Sequence, residues 1–91
     1  MTKSRFPKDI NKMSIEDLID TLAQKAANKY NRSSKRMQEW YNEQGTSILF
    51  EDYPDAYYRI LEPSDEDLEA MNCEDEAELF WKLDDKFCEL L

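Results

Sequence analysis

The sequence predicts an all-α fold: a small single-domain helical bundle of three to five helices, with a long first helix and an acidic C-terminal half. Three observations carry that reading. Apolar residues recur at i, i+3, i+4 and i+7 through most of the chain, the spacing of a helix face. Glycine occurs once and proline three times in 91 residues, too few for the turns of a β-barrel or sandwich. Ser, Asp and Pro stand where helix starts need them. A chain of this length supports one modest core, and 41% hydrophobic residues take it out of the disordered class despite a net charge of −9.

Residues 1–13 show no helical period. Lys3, Arg5, Lys8 and Lys12 with Pro7 read as a basic, loosely ordered arm, followed by one helical domain over 14–91. Ser14 with Asp17 resembles a capping box, and Met13 with Leu18 a hydrophobic staple. Ile15, Leu18, Ile19, Leu22, Ala23, Ala26 and Tyr30 then form one apolar stripe. Asn31-Arg32-Ser33-Ser34 offers a break, with either serine as a new cap. The phase nevertheless continues through Met37, Trp40 and Tyr41, so one helix is expected from about Ser14 to Gln44, closed by Gly45 in a left-handed conformation.

Ser47 to Phe50 reads equally as one helical turn or as a short extended stretch. Pro54 suits a first helical position, and Ala56, Tyr57, Ile60 and Leu61 give a short stripe ending before Pro63. Ser64 caps the next segment, with Asp65, Glu66 and Asp67 in its first turn and Asn72 at its end. Glu74, Asp75 and Glu76 open a last helix over about 75–90. Its Leu79, Phe80, Leu83, Phe87, Leu90 and Leu91 share an arc, with Trp81 and Cys88 beside it and Asp84 inside it. The expected core is Leu18, Ile19, Leu22, Ala26, Trp40, Ile60, Leu61, Phe80, Leu83 and Phe87.

Charge is unevenly placed. Residues 1–50 hold nine Lys/Arg and six Asp/Glu, whereas residues 51–91 hold three and fifteen. The first half is mildly basic and the second strongly acidic. The chain contains no histidine, which removes the commonest acid/base group and metal ligand. A single glycine excludes the phosphate-binding glycine loops. Carboxylates abound, but acid/base chemistry needs a desolvated pocket that separates their pKa values. No enzyme and no cofactor are therefore expected. Cys73 and Cys88 are too few for a disulfide scaffold or a zinc site. Apolar runs reach only three residues and no secretory signal pattern is present, so the chain reads as cytoplasmic, with reduced thiols and no membrane contact.

Two constellations have a functional reading and a blander one. Asp65, Asp67, Glu69 and Glu76 fall at loop positions 1, 3, 5 and 12 of an EF-hand, but Ala70 stands where the turn needs glycine, and first-turn helix acids explain them better. Tyr53, Tyr57 and Tyr58 cluster among Asp52, Pro54, Asp55 and Arg59; they read either as core or as an interface, where tyrosine is favoured.

The acids Glu51, Asp52 and Asp55, the runs Asp65-Glu66-Asp67 and Glu74-Asp75-Glu76, and Asp84-Asp85 give the second half the density of a charged face. In this it resembles the small acidic inhibitors of phages and mobile elements: DNA-mimic anti-restriction and anti-CRISPR proteins and, more loosely, acidic immunity proteins of nuclease toxins. The resemblance is compositional and covers residues 51–91; the basic arm departs from it. It implies an inhibitor that occupies the Lys/Arg stripe with which a partner would grip DNA. The candidate binding residues are Glu51, Asp52, Asp55, Tyr57, Tyr58, Asp65, Glu66, Asp67, Glu74, Asp75, Glu76, Glu78 and Asp85. The partner expected is a basic, nucleic-acid-binding protein, with no direct nucleic-acid contact, and a homodimer is admitted. The competing reading is a regulatory adaptor that binds through a Tyr/Trp apolar patch, its acids serving solubility. A nucleic-acid binder working through the Lys/Arg residues of 3–36 is disfavoured by the charge of the other half.

Overall fold

A computed structural model describes residues 10–91. Five α-helices follow a short 3-10 turn, Ile10–Lys12: α1 (Ile15–Arg32), α2 (Lys35–Gln44), α3 (Pro54–Leu61), α4 (Asp65–Ala70) and α5 (Glu76–Glu89). A second 3-10 segment, Thr46–Asp52, joins α2 to α3. Among the described residues there is no strand, and no helix is long and apolar enough to cross a membrane. The fold is all-α, as the periodicity predicts. Lys3, Arg5 and Lys8 of the basic arm lie outside the described residues. Residues 10–13, assigned from sequence to that arm, are docked: Ile10 and Met13 pack against the core.

Each start has a local cause. The Ser14 hydroxyl accepts the Asp17 amide at 3.2 Å, Ser34 accepts that of Met37 at 3.2 Å, and Ser64 accepts that of Asp67 at 3.2 Å. Asp75 accepts the Glu78 amide at 3.1 Å, while the Glu78 carboxylate reaches back to the Glu74 amide at 3.1 Å. Pro54 occupies the first turn of α3. Asn72, at φ 56°, ends α4 in a Schellman motif: the Cys73 amide bonds the Leu68 carbonyl at 2.8 Å and the Asn72 amide that of Glu69 at 3.1 Å.

The continuous helix expected over 14–44 is in fact two. Ser33 and Ser34 are extended, at ψ 152° and 160°, and the break is fully fastened. Ser34 caps α2, the Gln38 side-chain Nε2 donates to the Tyr30 carbonyl at 2.7 Å, and the Asn42 side-chain Nδ2 donates to the Tyr30 hydroxyl at 3.1 Å. The first two satisfy end groups that a break otherwise leaves open, and the third ties side chains of the two helices across it. The bend also resets the helical phase, so Tyr41 turns inward and Trp40 outward. Gly45 then takes φ 103°, a region open to glycine, and its amide closes α2 on the Tyr41 carbonyl at 2.9 Å.

The core sits between α1 and α5, with the 3-10 segment and α3 against its side. α1 contributes Ile15, Leu18, Ile19, Leu22, Ala23, Ala26 and Ala27; α5 contributes Leu79, Leu83 and Phe87. Leu49 and Phe50, in the stretch the sequence left open, are fully buried. The Phe50 ring lies 5.7 Å from that of Phe87, 5.8 Å from Tyr57 and 6.3 Å from Phe80. Two expected core residues are exposed instead. Trp40 is displaced by the phase change, and Leu61 lies about 100° round the helix from Ile60, the residue α3 buries. Phe80 is half-buried.

Candidate functional site

α3 stands out because it is bordered by two grooves. One is lined by Asp55, Tyr58, Arg59, Glu62, Ser64, Glu66 and Asp67. The other, more apolar, is lined by Glu51, Pro54, Tyr57, Tyr58 and Leu61. Tyr58 forms the ridge between them. Tyr58 is 59% exposed and its neighbour Leu61 44%. Glu62, one turn on, raises the Tyr58 phenol above its ordinary value, because a neighbouring carboxylate favours the protonated hydroxyl and disfavours a second negative charge.

The first groove has a rigid floor. The Arg59 Nε and Nη2 bond both oxygens of Asp67, at 3.0 and 2.8 Å, a bidentate pair with both side chains largely buried. The Arg59 Nη1 also donates to the carbonyls of Ile10, at 2.9 Å, and Met13. One guanidinium thus ties α3, α4 and the segment before α1 together. It holds the Asp67 carboxyl below the usual carboxylate range, and Ser64 adds to the effect. Asp67 in turn raises Arg59. The cation lining this groove is therefore already neutralised from within, while Asp55, Glu62 and Glu66 are exposed around it.

The sequence-predicted binding residues divide accordingly. Glu51, Asp55, Tyr57, Tyr58, Glu66 and Asp67 line the two grooves of α3. Within that group Asp67 is a correction, since its carboxylate is buried and bound by Arg59 rather than offered to a partner. Tyr57 packs its ring toward Phe50 and Phe80, and burial raises its hydroxyl. Asp52 is paired with Lys29. Asp75 and Glu78 fasten the start of α5. Asp65 and Glu76 are exposed in the first turns of α4 and α5, and Glu74 just ahead of α5, where the helix dipole favours them. Asp85 lies in a separate groove with Glu16, Asp20, Lys82, Lys86 and Glu89. The acids thus do not form one continuous face.

Two groove residues escaped the sequence reading. Glu62 was detectable as an i+4 partner of Tyr58. Arg59 was not: it reaches Asp67 across the Pro63 turn and Ile10 across 49 positions, which no local pattern encodes. The EF-hand spacing is dissolved by the fold, because 65–70 is helical and Asp67 faces Arg59; among the described residues no three His, Cys, Asp or Glu converge as metal ligands. The basic residues of α1 are partly engaged as well, with Lys25 over the Tyr53 ring at 5.5 Å and Lys29 on Asp52. Comparison with known proteins finds no family model, no curated protein and no solved structure that matches this chain.

Proposed function

We propose that this chain is a non-enzymatic inhibitor that binds a basic, nucleic-acid-binding protein through the acidic grooves of α3, with Tyr58 as the anchor. One observation supports it most: an exposed tyrosine rises between carboxylates at Glu51, Asp55, Glu62 and Glu66, over a floor whose cation is already paired. An arginine from a partner would lie on the Tyr58 ring and fork to the carboxylates beside it. Side chains that otherwise grip phosphates would then be held by this chain, as the likeness to DNA-mimic inhibitors implies. The site differs from the broad acidic face expected from composition, because Asp67, Asp75 and Glu78 serve the fold.

The adaptor reading keeps one specific support, the exposed apolar pair Tyr58 and Leu61. A pull-down from cell extract, eluted with rising salt, supplies the partner, and binding kinetics then separate the readings. The variant carrying Glu51→Gln, Asp55→Asn, Glu62→Gln and Glu66→Gln should associate much more slowly at about 0.1 M salt, and wild type should match it at about 1 M, where charges are screened beyond about 3 Å. The bound partner should also lose its hold on duplex DNA. Salt-insensitive binding that survives this neutralisation, yet weakens about thirtyfold with Tyr58→Ala, would replace the inhibitor with the adaptor.

A further inference from the structure

The exposed side of α3 is divided along its length. Ala56 and Ile60 are buried, and at about 100° per residue the direction opposite them is that of Tyr58. Pro54 and Leu61 lie to one side of this crest and Asp55 and Glu62 to the other, all four exposed. Tyr57 adds to the apolar flank and Glu66 to the acidic one. A partner that covers the crest therefore needs two kinds of side chain from one surface.

The acidic flank has kept its charge. Among the described residues the ion pairs Lys29–Asp52, Arg59–Asp67 and Lys86–Asp20 use none of Asp55, Glu62 and Glu66. Arg59 lines the same groove, but it is spent on Asp67 and on the carbonyls of Ile10 and Met13, and no other described cation lines it. The groove is left with the charge of those three carboxylates, which a cation from outside complements. The crest selects which cation: a guanidinium is planar and lies on the Tyr58 ring while it forks to a carboxylate, whereas an ammonium does not fork.

Spacing then selects the shape of the partner. Glu62 still closes α3, its amide on the Tyr58 carbonyl at 2.8 Å. At about 1.5 Å per residue, Asp55 and Glu62 are therefore about 10 Å apart along the helix axis. An extended segment covers that distance in about three residues, and residues three apart point to opposite faces of a strand. A helix covers it in about two turns, with both ends on one face. The residue one turn in from either end stands on that same face but to one side, where it reaches past Tyr58 toward Pro54 and Leu61.

We propose that the element held by α3 is an amphipathic helix of the partner that carries two arginines about two turns apart and a large aliphatic residue between them. The arginines take Asp55 and Glu62, and the aliphatic side chain enters the groove of Pro54, Tyr57 and Leu61. This rests on the reading of α3 as the binding site and narrows its partner from a basic surface to one pattern on one helix face. It also gives the exposed apolar flank a role beside the charges instead of in competition with them.

The test is a display selection against the full chain, with a stable helical scaffold randomised along one exposed helix face. The helices selected should carry arginine at two positions about two turns apart, with leucine, isoleucine or methionine between them. Fluorescence anisotropy with the tightest of them then separates the contacts. Replacing both arginines by lysine should weaken binding about tenfold or more, and so should replacing the aliphatic residue by alanine. The two losses should trace to different flanks of α3. Asp55→Asn with Glu62→Gln should abolish the preference for arginine over lysine and keep that for the aliphatic residue, and Leu61→Ser should do the reverse; circular dichroism confirms the helices of each variant. A selection that yields no helix, or preferences that survive both sets of variants, would overturn the proposal. So would helices rich in arginine and lysine without the spacing or the aliphatic residue, but that outcome leaves an inhibitor that works by charge alone. Salt-insensitive binding of the pulled-down partner is the separate result that removes the inhibitor.

Discussion

The α1–α5 pair and the α3–α4 pair are held by different forces. α1 and α5 meet through Leu18, Leu22, Leu79, Leu83 and Phe87, all fully buried. α4, only six residues long, is fixed mainly by the Arg59–Asp67 pair and by the Ser64 cap, with Leu68 half-buried beneath it. The first pair depends mainly on apolar area, with only the exposed Lys86–Asp20 ion pair, at 3.8 Å, across it; the second is joined by a guanidinium and a carboxylate. The surface that carries the proposed site is therefore built on the electrostatically fastened half.

That contrast makes graded predictions. Phe87→Ala should have the largest effect, about 3–5 kcal/mol in urea unfolding, and the loss should be constant between about pH 5 and 8. A pH-dependent loss would mean that α5 is held by more than packing. Arg59→Met should cost about 3 kcal/mol near neutral pH, since it strands the Asp67 carboxylate and the carbonyls of Ile10 and Met13. Here pH should matter. The folded-state pKa of Asp67 is depressed, so its stabilisation is complete above the ordinary carboxylate value of 3.8 and is lost as pH falls through the lower, folded value. Stability curves of wild type and Arg59→Met should therefore converge in acid; curves that stay parallel would remove the clasp from the account.

Ser64→Ala should cost about 1 kcal/mol, felt as local opening. Native-state hydrogen exchange should show α4 amides speeding up while those of α1 around Leu22 still exchange only by global unfolding. Equal acceleration in both helices would mean that the two pairs are one cooperative unit. Smallest of all, Glu62→Gln should leave stability unchanged and lower the pKa of Tyr58, because the carboxylate that raises it is gone. Ultraviolet absorbance through an alkaline titration reads that shift directly, and an unmoved phenol would deny that Glu62 acts on the Tyr58 hydroxyl.

Much of the fold was legible because its causes are local. The caps at Ser14, Ser64 and Asp75, the proline start of α3 and the burial of Leu18, Ile19, Leu22, Leu83 and Phe87 all follow from residues within one or two turns of each other. The break at Ser33–Ser34 was visible as a possibility, but periodicity continued across it and favoured the wrong outcome. Once that phase was lost, Trp40 and Tyr41, expected on one face, parted: Tyr41 is buried and Trp40 exposed. Of the site, Asp55, Tyr58 and Glu66 were named from composition and clustering, yet so were Asp67, Asp75 and Glu78, which the fold uses itself. Composition counts carboxylates without saying which are already bound.

What the sequence determined by itself was the list of helices and the charge asymmetry, because capping, helical spacing and composition act through neighbours in the chain. Only the tertiary structure decided that Phe50 closes the core beside Phe87, that Arg59 reaches back to Ile10 and Met13, and that Tyr58 stands open while Tyr57 beside it packs inward. Each of those outcomes depends on which distant segment fills the space next to a residue. A helix repeats every 3.6 residues whatever lies against it, whereas burial and ion pairing exist only once two remote parts of the chain meet.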